Sequence, residues 1–391
     1  MDRIFTTLFL LALVWNMIVS PVQAQDRLVT ETMARQMEEL KMEDMEAFLR
    51  QLDRDISMDL PGLEITKIFE NLKSGQLSLD LVSILQNLAG LFFKELLANS
   101  SLLGKLIILA IIAAILQNIQ AAFEEGTTGK LAYAVTYLAL ISMALASFSL
   151  AINIGKNAVE QMVTFIQSLL PVLLTLMAAV GGLTTVALLH PIVITAVSIL
   201  STLTLNVVFP LIYFSAILTI VNHISDKFQV SRLAGLLKDL SMGLLGVFLT
   251  VFIGILAIQG VAGAVSDGIA LRTAKFMTGS FVPVVGKLFA DAVEAVAGTS
   301  LLLKNAVSLV GVIAIVLIVL LPAIKILSLV IIYRLAAALI QPFGEGPIAA
   351  MLQSLAGSLL MVFGAVSAVG LMFFIALTII AGLGNFTVLL R

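Results

Sequence analysis

Long apolar runs separated by short polar stretches make up most of the chain after residue 101. A run of about 20 apolar residues can cross the hydrocarbon core of a bilayer as a helix. Five runs have about this length, and each predicts one transmembrane helix: Leu102–Phe123, Leu131–Ile152, Met162–Gly182, Ser241–Ala262 and Ala356–Gly384. The pattern therefore predicts an all-α, polytopic helical membrane protein.

Two further apolar runs, Val186–Ile220 and Asn305–Ile340, are too long for one simple span. As helices they would each extend for about 50 Å, against a hydrocarbon core of about 30 Å. Pro210 and Pro322 lie near their middles, so each run is either one tilted, kinked helix or two short spans. The total is then seven to nine transmembrane helices.

The first 24 residues have the pattern of a secretory signal peptide. Arg3 provides a short basic region, Ile4–Ser20 is apolar, and Pro21 precedes a small-residue cleavage pattern at Val22-Gln23-Ala24. The alternative is an anchor that is not cleaved. In both cases we expect the following segment to lie outside the cytoplasm.

Residues 25–101 are predicted to form an extracytoplasmic helical segment. Apolar residues recur there at roughly helical spacing, and a second amphipathic helix is expected from Ser78, a good N-cap. The first apolar face comprises Met33, Met37, Leu40, Met45, Phe48, Leu49 and Leu52, and the second comprises Leu81, Leu85, Leu88, Phe92 and Leu96. These faces could be buried in a small cap over the membrane domain, on the membrane surface, or against a partner protein.

Composition and charge agree with this division. The chain is 60% hydrophobic and 12% charged, whereas soluble domains are about 45–50% apolar and about 25% charged. Between Gln25 and Ser101 there are 14 acidic and 8 basic residues, against 9 acidic and 13 basic from Leu102 to Arg391. No basic tract is dense enough to predict nucleic-acid binding. Since the chain has no cysteine, thiol catalysis and Cys-ligated metals are excluded.

The basic residues leave the topology of the middle of the chain open. With nine spans, Asn222–Lys238 is cytoplasmic, as the positive-inside tendency favours, but the predicted external loop Val265–Lys304 conflicts with that tendency. With seven spans the conflict is reversed. In both versions Glu124–Lys130 is a cytoplasmic turn and the C-terminus ends in the cytoplasm.

The membrane domain, residues 102–391, contains a weak internal similarity. The segment Leu236–Phe248 resembles Met351–Phe363, and the pair Pro210 and Pro322 is 112 positions apart. This pattern indicates two repeat units, 163–262 and 279–384, although membrane sequences use few residue types and chance similarity is the alternative. Repeated halves around a central pathway are frequent in transporters.

Catalytic signatures do not occur in the sequence. It has two histidines, His190 and His223, and neither an HExxH zinc motif nor a GxxxxGK[ST] phosphate loop nor a GxSxG elbow. The sequence therefore predicts no enzyme, no catalytic residue, no metal site and no cofactor.

Charged residues in or beside the apolar runs are the candidates for a pathway. Charges within spans are costly and often functional, so Lys325 and Arg334 are candidates, although both could lie near span ends and reach water. In Phe281–Gly298, one helical face carries three charged residues, and it could be an interfacial amphipathic helix or a pore-lining element. Those three residues are Lys287, Asp291 and Glu294. Pro210 and Pro322 are candidate hinges.

Three segments identify a family resemblance that extends over essentially the whole chain. They are MDLPGLEI at Met58–Ile65, LLGKLIILAIIAAIL at Leu102–Leu116 and LIQPFGEGPIAAML at Leu339–Leu352. Together with the signal peptide and the proline-broken apolar domain, they make the chain resemble the stage III sporulation protein AE family of endospore-forming bacteria.

The resemblance implies a multi-pass protein of the mother-cell membrane around the forespore. It implies a subunit of a secretion-like channel complex whose other members are ring-forming proteins, a separate ATPase subunit and a forespore membrane protein. Homo-oligomers are also compatible with it. The alternative function is a permease for small molecules with its pathway between the two repeat units.

Overall fold

A computed structural model describes residues 43–59, 65, 66, 68, 81–122, 127–224, 230–281, 285–343 and 347–389. The predicted signal peptide and residues 25–42 of the predicted extracytoplasmic segment lie outside these ranges. The described residues are helical almost throughout. Their helices are α1 (Glu43–Asp59), α2 (Leu81–Ala98), α3 (Ser100–Ala122), α4 (Thr127–Ala179), α5 (Leu183–Leu203), a π-helical segment (Thr204–Val208), α6 (Phe209–Ile224), α7 (Ser231–Phe281), α8 (Val285–Ile340) and α9 (Pro347–Leu389).

Five helical stretches among the described residues are long and apolar enough to cross a membrane: Leu131–Ala179, Leu183–His223, Ser231–Ala270, Val296–Ile340 and Pro347–Leu383. The pair formed by α2 and α3 is bent by 43° and can count as a sixth. This finding bears out a helical membrane protein and does not confirm seven to nine spans.

The lower count arises because long helices join segments that the sequence pattern separates. The predicted spans Leu131–Ile152 and Met162–Gly182 lie mostly in α4, whose 53 residues extend for about 80 Å. Polar residues between them are compatible with a helix, since neither proline nor a glycine pair interrupts that stretch. Val186–Ile220 likewise continues through α5, the π-helical segment and α6, and Asn305–Ile340 lies wholly in α8.

The predicted external loop Val265–Lys304 is helical in the residues that the structure describes, and its side of the membrane stays a prediction. Residues 265–281 belong to α7 and residues 285–304 to α8. The loop was inferred from its charges, yet two of them, Asp267 and Lys304, are buried inside the helical bundle. Similarly, α4 already begins at Thr127, within the predicted turn Glu124–Lys130.

The long helices form an up-and-down bundle. On α4 and α8, Ala144 contacts Tyr333 through a hydrogen bond, whereas Leu169 contacts Gly311, so the two helices are antiparallel. The same comparison shows that α4, α7 and α9 run in one direction and that α5, α6 and α8 run in the other. Helices α8 and α9 pack in the centre, with α4 on one side and α7 on the other.

Small residues allow close approach between these helices. A Cβ built at Gly260 of α7 would lie 2.7 Å from Cδ1 of Leu383, and one at Gly311 of α8 would lie 2.6 Å from Cδ2 of Leu169. Glycines at such positions bring apolar helices together in a bilayer, where packing rather than the hydrophobic effect drives association.

Helix α1 packs on the second half of α4. Met45, Leu49 and Leu52 are buried, and the ring centroids of Phe48 and Phe165 are 5.1 Å apart. This part of the predicted extracytoplasmic segment packs on the side of α4, and its position relative to the membrane stays a prediction. The Asp53 carboxylate also accepts hydrogen bonds from the following residues: the N–H of Ile65 (2.6 Å), the N–H of Thr66 (3.0 Å) and the Thr66 hydroxyl.

Candidate functional site

A buried acid on α7 caps the start of α5. Asp267 is only 2% exposed. Its carboxylate accepts hydrogen bonds from the N–H of Thr184 (2.7 Å), the N–H of Thr185 (2.9 Å) and the Thr185 hydroxyl (2.6 Å). The first N–H groups of a helix have no partners within the helix and favour a negative charge. Asp267 therefore acts as an N-cap supplied by another helix.

The turn before α5 provides no capping side chain of its own. Gly181 adopts a positive φ of 99°, a backbone conformation that favours glycine, and Gly182 provides no side-chain cap. On α7, a Cβ at Gly263 would lie 2.8 Å from Thr185, so glycine lets the two helices meet. The α4–α5 turn and α7 are thereby fixed to each other at one end of the bundle.

A buried lysine lies between α8 and α9. Lys304 is 1% exposed, and its Nζ donates a hydrogen bond of 2.6 Å to the carbonyl oxygen of Ala381. An ammonium group inside an apolar bundle is costly, so such a residue is a functional candidate by default. Two residues further along α9, Leu383 contacts Gly260 of α7, which places Lys304 toward the same end of the bundle as Asp267.

The two candidate hinges lie at a similar level of the bundle. Phe209, next to Pro210, packs against Gly155 of α4, which also contacts Val366 of α9. One turn further along α9, Gly370 packs against Val319, three residues before Pro322. Pro210 and Pro322 therefore lie within about two helical turns of each other along the axis of the bundle.

The two prolines differ in their local backbone. Pro210 follows the π-helical segment, in which the N–H of Phe209 bonds to the carbonyl oxygen of Thr204, five residues earlier. Pro322 lies inside the continuous helix α8. Single π-helical turns are frequent at functional sites, which makes the Pro210 region the stronger hinge candidate of the two.

The predicted pathway pair Lys325 and Arg334 is not brought together. Nine positions correspond to two and a half turns of α8, so the two side chains lie on opposite sides of the helix. Lys325 Nζ is 3.8 Å from Oε1 of Glu95 on α2, and Arg334 is exposed. Between them, Tyr333 is buried, and its hydroxyl lies within hydrogen-bond distance of the Ala144 carbonyl oxygen (3.1 Å) and the Ser147 hydroxyl (3.0 Å).

The second predicted pathway element lies in the first turns of α8. Lys287, Asp291 and Glu294 belong to this helix, but their side chains lie outside the described residues. Their role in a pathway stays a prediction.

Sequence reasoning missed Asp267 and Lys304 as buried groups. It assigned both to a loop because a charge usually marks water. The signal that could have found them is their setting, since neither glycine pairs nor prolines separate Lys304 from the apolar residues on both sides. Among the residues that the structure describes, no group of three or more His, Asp or Glu side chains could hold a metal ion.

These observations define a polytopic helical membrane protein with buried polar anchors between its helices. A family model described as stage III sporulation protein AE matches residues 63–384. The chain belongs to this family.

A curated relative supports the assignment. Stage III sporulation protein AE of Bacillus subtilis (strain 168) is 46% identical over 307 residues, which cover 78% of this chain and 77% of the relative. No solved structure matches the chain. Family membership supports a role in sporulation and gives no indication of catalytic activity.

Proposed function

We propose that the chain is a membrane subunit of a channel complex that connects the mother cell with the forespore. Its role is structural or conducting, and it acts in the mother-cell membrane around the forespore. The observation that carries this proposal is the family match over residues 63–384, which covers all of the long apolar helices.

The docked helix α1 supports an assembly role. Its apolar face is satisfied by α4, while Arg50 and Arg54 on the opposite face are exposed. A charged face that the bundle leaves open is suited to contact with other proteins. The proposed partners are the ring-forming proteins, the separate ATPase subunit and the forespore membrane protein of the complex.

The orientation follows from the order of the helices. We place α1 outside the cytoplasm, on the side of α4 that opens to the space between the two membranes. Because α9 runs parallel to α4, its C-terminal end lies toward the end of the bundle where α4 ends. The proposal therefore puts residue 389 on the same side as α1, whereas the sequence pattern predicted a cytoplasmic C-terminus.

Deletion of the gene in a sporulating host tests the function. We expect the deletion strain to form engulfed forespores that do not mature, so that heat-resistant spores and late forespore-specific transcription are lost. The full-length chain, expressed again, should restore both and co-purify with the other membrane proteins of the complex. Normal numbers of heat-resistant spores in the deletion strain would refute the proposal.

The π-helical segment favours one alternative, a transporter for small molecules. Interrupted helices near the middle of a bundle form the substrate sites of many transporters. Two variants distinguish these functions: Phe48→Ala, at the contact of α1 with α4, and Pro210→Ala, beside the π-helical segment. A scaffold should lose sporulation with Phe48→Ala and tolerate Pro210→Ala, and a transporter should show the reverse.

A further inference from the structure

The outward face of α4 changes its character in the middle of the helix. In the first half, the exposed large residues are apolar: Leu131, Val135, Leu138 and Leu150. From Asn153 to Thr175, every exposed position is polar or proline. These positions, the α4 stripe, are Asn153, Asn157, Glu160, Gln161, Thr164, Gln167, Pro171 and Thr175.

The spacing of the α4 stripe places it on one narrow face. Its members recur three or four positions apart, which aligns them along the helix. The stripe is about 33 Å long at a rise of about 1.5 Å per residue, which is close to the hydrocarbon thickness of about 30 Å. Beside the stripe, Phe165 packs against Phe48 of α1, and Leu169 packs into the bundle against Gly311 of α8.

The stripe lies at the same level as an apolar surface on the other side of the bundle. On α4, Gly155 contacts Val366 of α9, and two residues before Val366, Gly364 faces Met242 of α7. Further along, Leu169 and Leu377 both contact Gly311, and Leu383 contacts Gly260. Residues 155–169 of α4 are thus level with about 244–254 of α7.

At that level the outer face of α7 is apolar apart from Thr250, whose hydroxyl donates a hydrogen bond to the Gly246 carbonyl of the same helix. Val247, Val251, Ile255 and Ile258 are exposed, Ile258 by 70%. Side chains of this kind are suited to lipid. Exposed amides are not, because polar groups in hydrocarbon lose their hydrogen bonds to water. One side of the bundle therefore faces lipid while the opposite side, at the same level, requires water.

We propose that the α4 stripe is the wall of a water-filled passage for small hydrophilic solutes. Its groups are mostly amides and hydroxyls, with a single exposed carboxylate at Glu160 and the half-buried Lys156 one turn earlier. Such a wall offers hydrogen bonds without a strong field of either sign, so it suits polar solutes irrespective of charge. The transport claim rests on the proposed function, whereas the presence of water does not.

Cysteine accessibility tests whether water reaches the α4 stripe. The chain is naturally free of cysteine, so single cysteines in the full-length protein can be probed in membrane vesicles with a charged, membrane-impermeant thiol reagent. Asn157→Cys, Gln161→Cys and Thr164→Cys should label at a rate near that of the exposed control Arg50→Cys. Val251→Cys and Ile255→Cys should label only after detergent is added, because the thiolate forms in water and not in lipid.

Bulky substitutions on the α4 stripe test whether solutes pass along it. Gln161→Trp and Thr164→Trp place bulk on the stripe, and Val251→Trp is the matched control on the lipid face of α7. We expect the stripe variants to reduce heat-resistant spores to the level of the deletion strain, while the control sporulates as the parent. Immunoblots of the membrane fraction should show equal amounts of all three proteins.

Each result decides the inference. Absence of labelling at the stripe, or labelling of the stripe and α7 alike, would overturn it. Labelling of the stripe with normal sporulation of the tryptophan variants would show a wet outer surface and would refute the passage. Failure of the proposed function is recognised separately, since the deletion strain would then sporulate normally.

Discussion

Helices α4 and α7 are two long apolar helices on opposite sides of the same central pair, yet they present different surfaces. From Met242 to Ile269 the exposed residues of α7 are apolar or glycine, apart from Thr250 and Ser266. Its buried acid, Asp267, points inward to α5. The outer face of α4 becomes polar after Asn153, and the charged helix α1 packs beside it. Mean hydropathy therefore identifies both as membrane helices, and only the distribution over their faces separates a lipid-facing helix from a water-facing one.

The largest effect is expected from the inward side of α7. Asp267→Ala removes the acceptor of three hydrogen bonds and should lower the free energy of unfolding by about 4 kcal/mol, since each buried unpaired donor costs about 1–3 kcal/mol. Thermal unfolding of the detergent-solubilised protein measures this loss. The neighbouring control Ser266→Ala, on the exposed face, should leave the unfolding temperature unchanged, and an equal loss in both variants would contradict the capping role.

The outward side of α7 should be the next most sensitive. Val251→Asp places a carboxylate against lipid, at a cost of about 3 kcal/mol for insertion. The matched change Thr164→Asp, at the same kind of exposed position on α4, should cost little because water reaches that face. The amount of each full-length variant in the membrane fraction is the readout. Equal accumulation of the two proteins would show that the outer faces of α4 and α7 do not differ in their exposure to lipid.

The contact of α1 with α4 should have a smaller, local effect. Phe48→Ala removes the ring that packs on Phe165 and should weaken docking by about 2 kcal/mol, because the ring is only half-buried. Limited proteolysis should then cut within 43–59 faster, while the bundle unfolds at its normal temperature. The exposed control Ala47→Ser should behave like the parent, and unchanged proteolysis of Phe48→Ala would argue against the docking of α1 on α4.

The smallest effect is expected at the predicted pathway residues of α8. Lys325→Gln breaks a 3.8 Å ion pair with Glu95 that is partly open to solvent. Pairs of this kind contribute about 0–1 kcal/mol. We expect the unfolding temperature and sporulation of this variant to match those of Arg334→Gln within error. A complete loss of sporulation with Lys325→Gln alone would return this lysine to the pathway candidates.

The sequence predicts the helical class and most apolar helices because a long apolar run has few stable alternatives in a bilayer. It overestimates the number of spans at Asn153, Lys156 and Asn157, since hydropathy treats polarity as an interruption although these residues continue a helix. It misplaces Asp267 and Lys304 for the same reason. The partners that satisfy them, Thr185 and Ala381, are far away in the chain, and only tertiary packing reveals them.

The candidate site is predicted less well than the fold. Hinge candidates at Pro210 and Pro322 follow from residue type alone, but their common level depends on contacts through Gly155 and Gly370. The α4 stripe is different, since its spacing of three and four can be seen in the sequence. It is overlooked when hydropathy is averaged over a whole span instead of being compared between the faces of the helix.

The π-helical segment lets the α5–α6 helix hold one residue more than a regular α-helix would between its two anchors. Its hydrogen bond joins residues five positions apart rather than four, so the extra residue is absorbed within Thr204–Val208. The two ends are held independently, by Asp267 at Thr185 and by the hydroxyl of Ser215 on the carbonyl of Ala234. Deletion of one residue within the segment would restore a regular α-helix with both anchors in place, whereas an insertion elsewhere in the helix would turn one end by about 100° against the other.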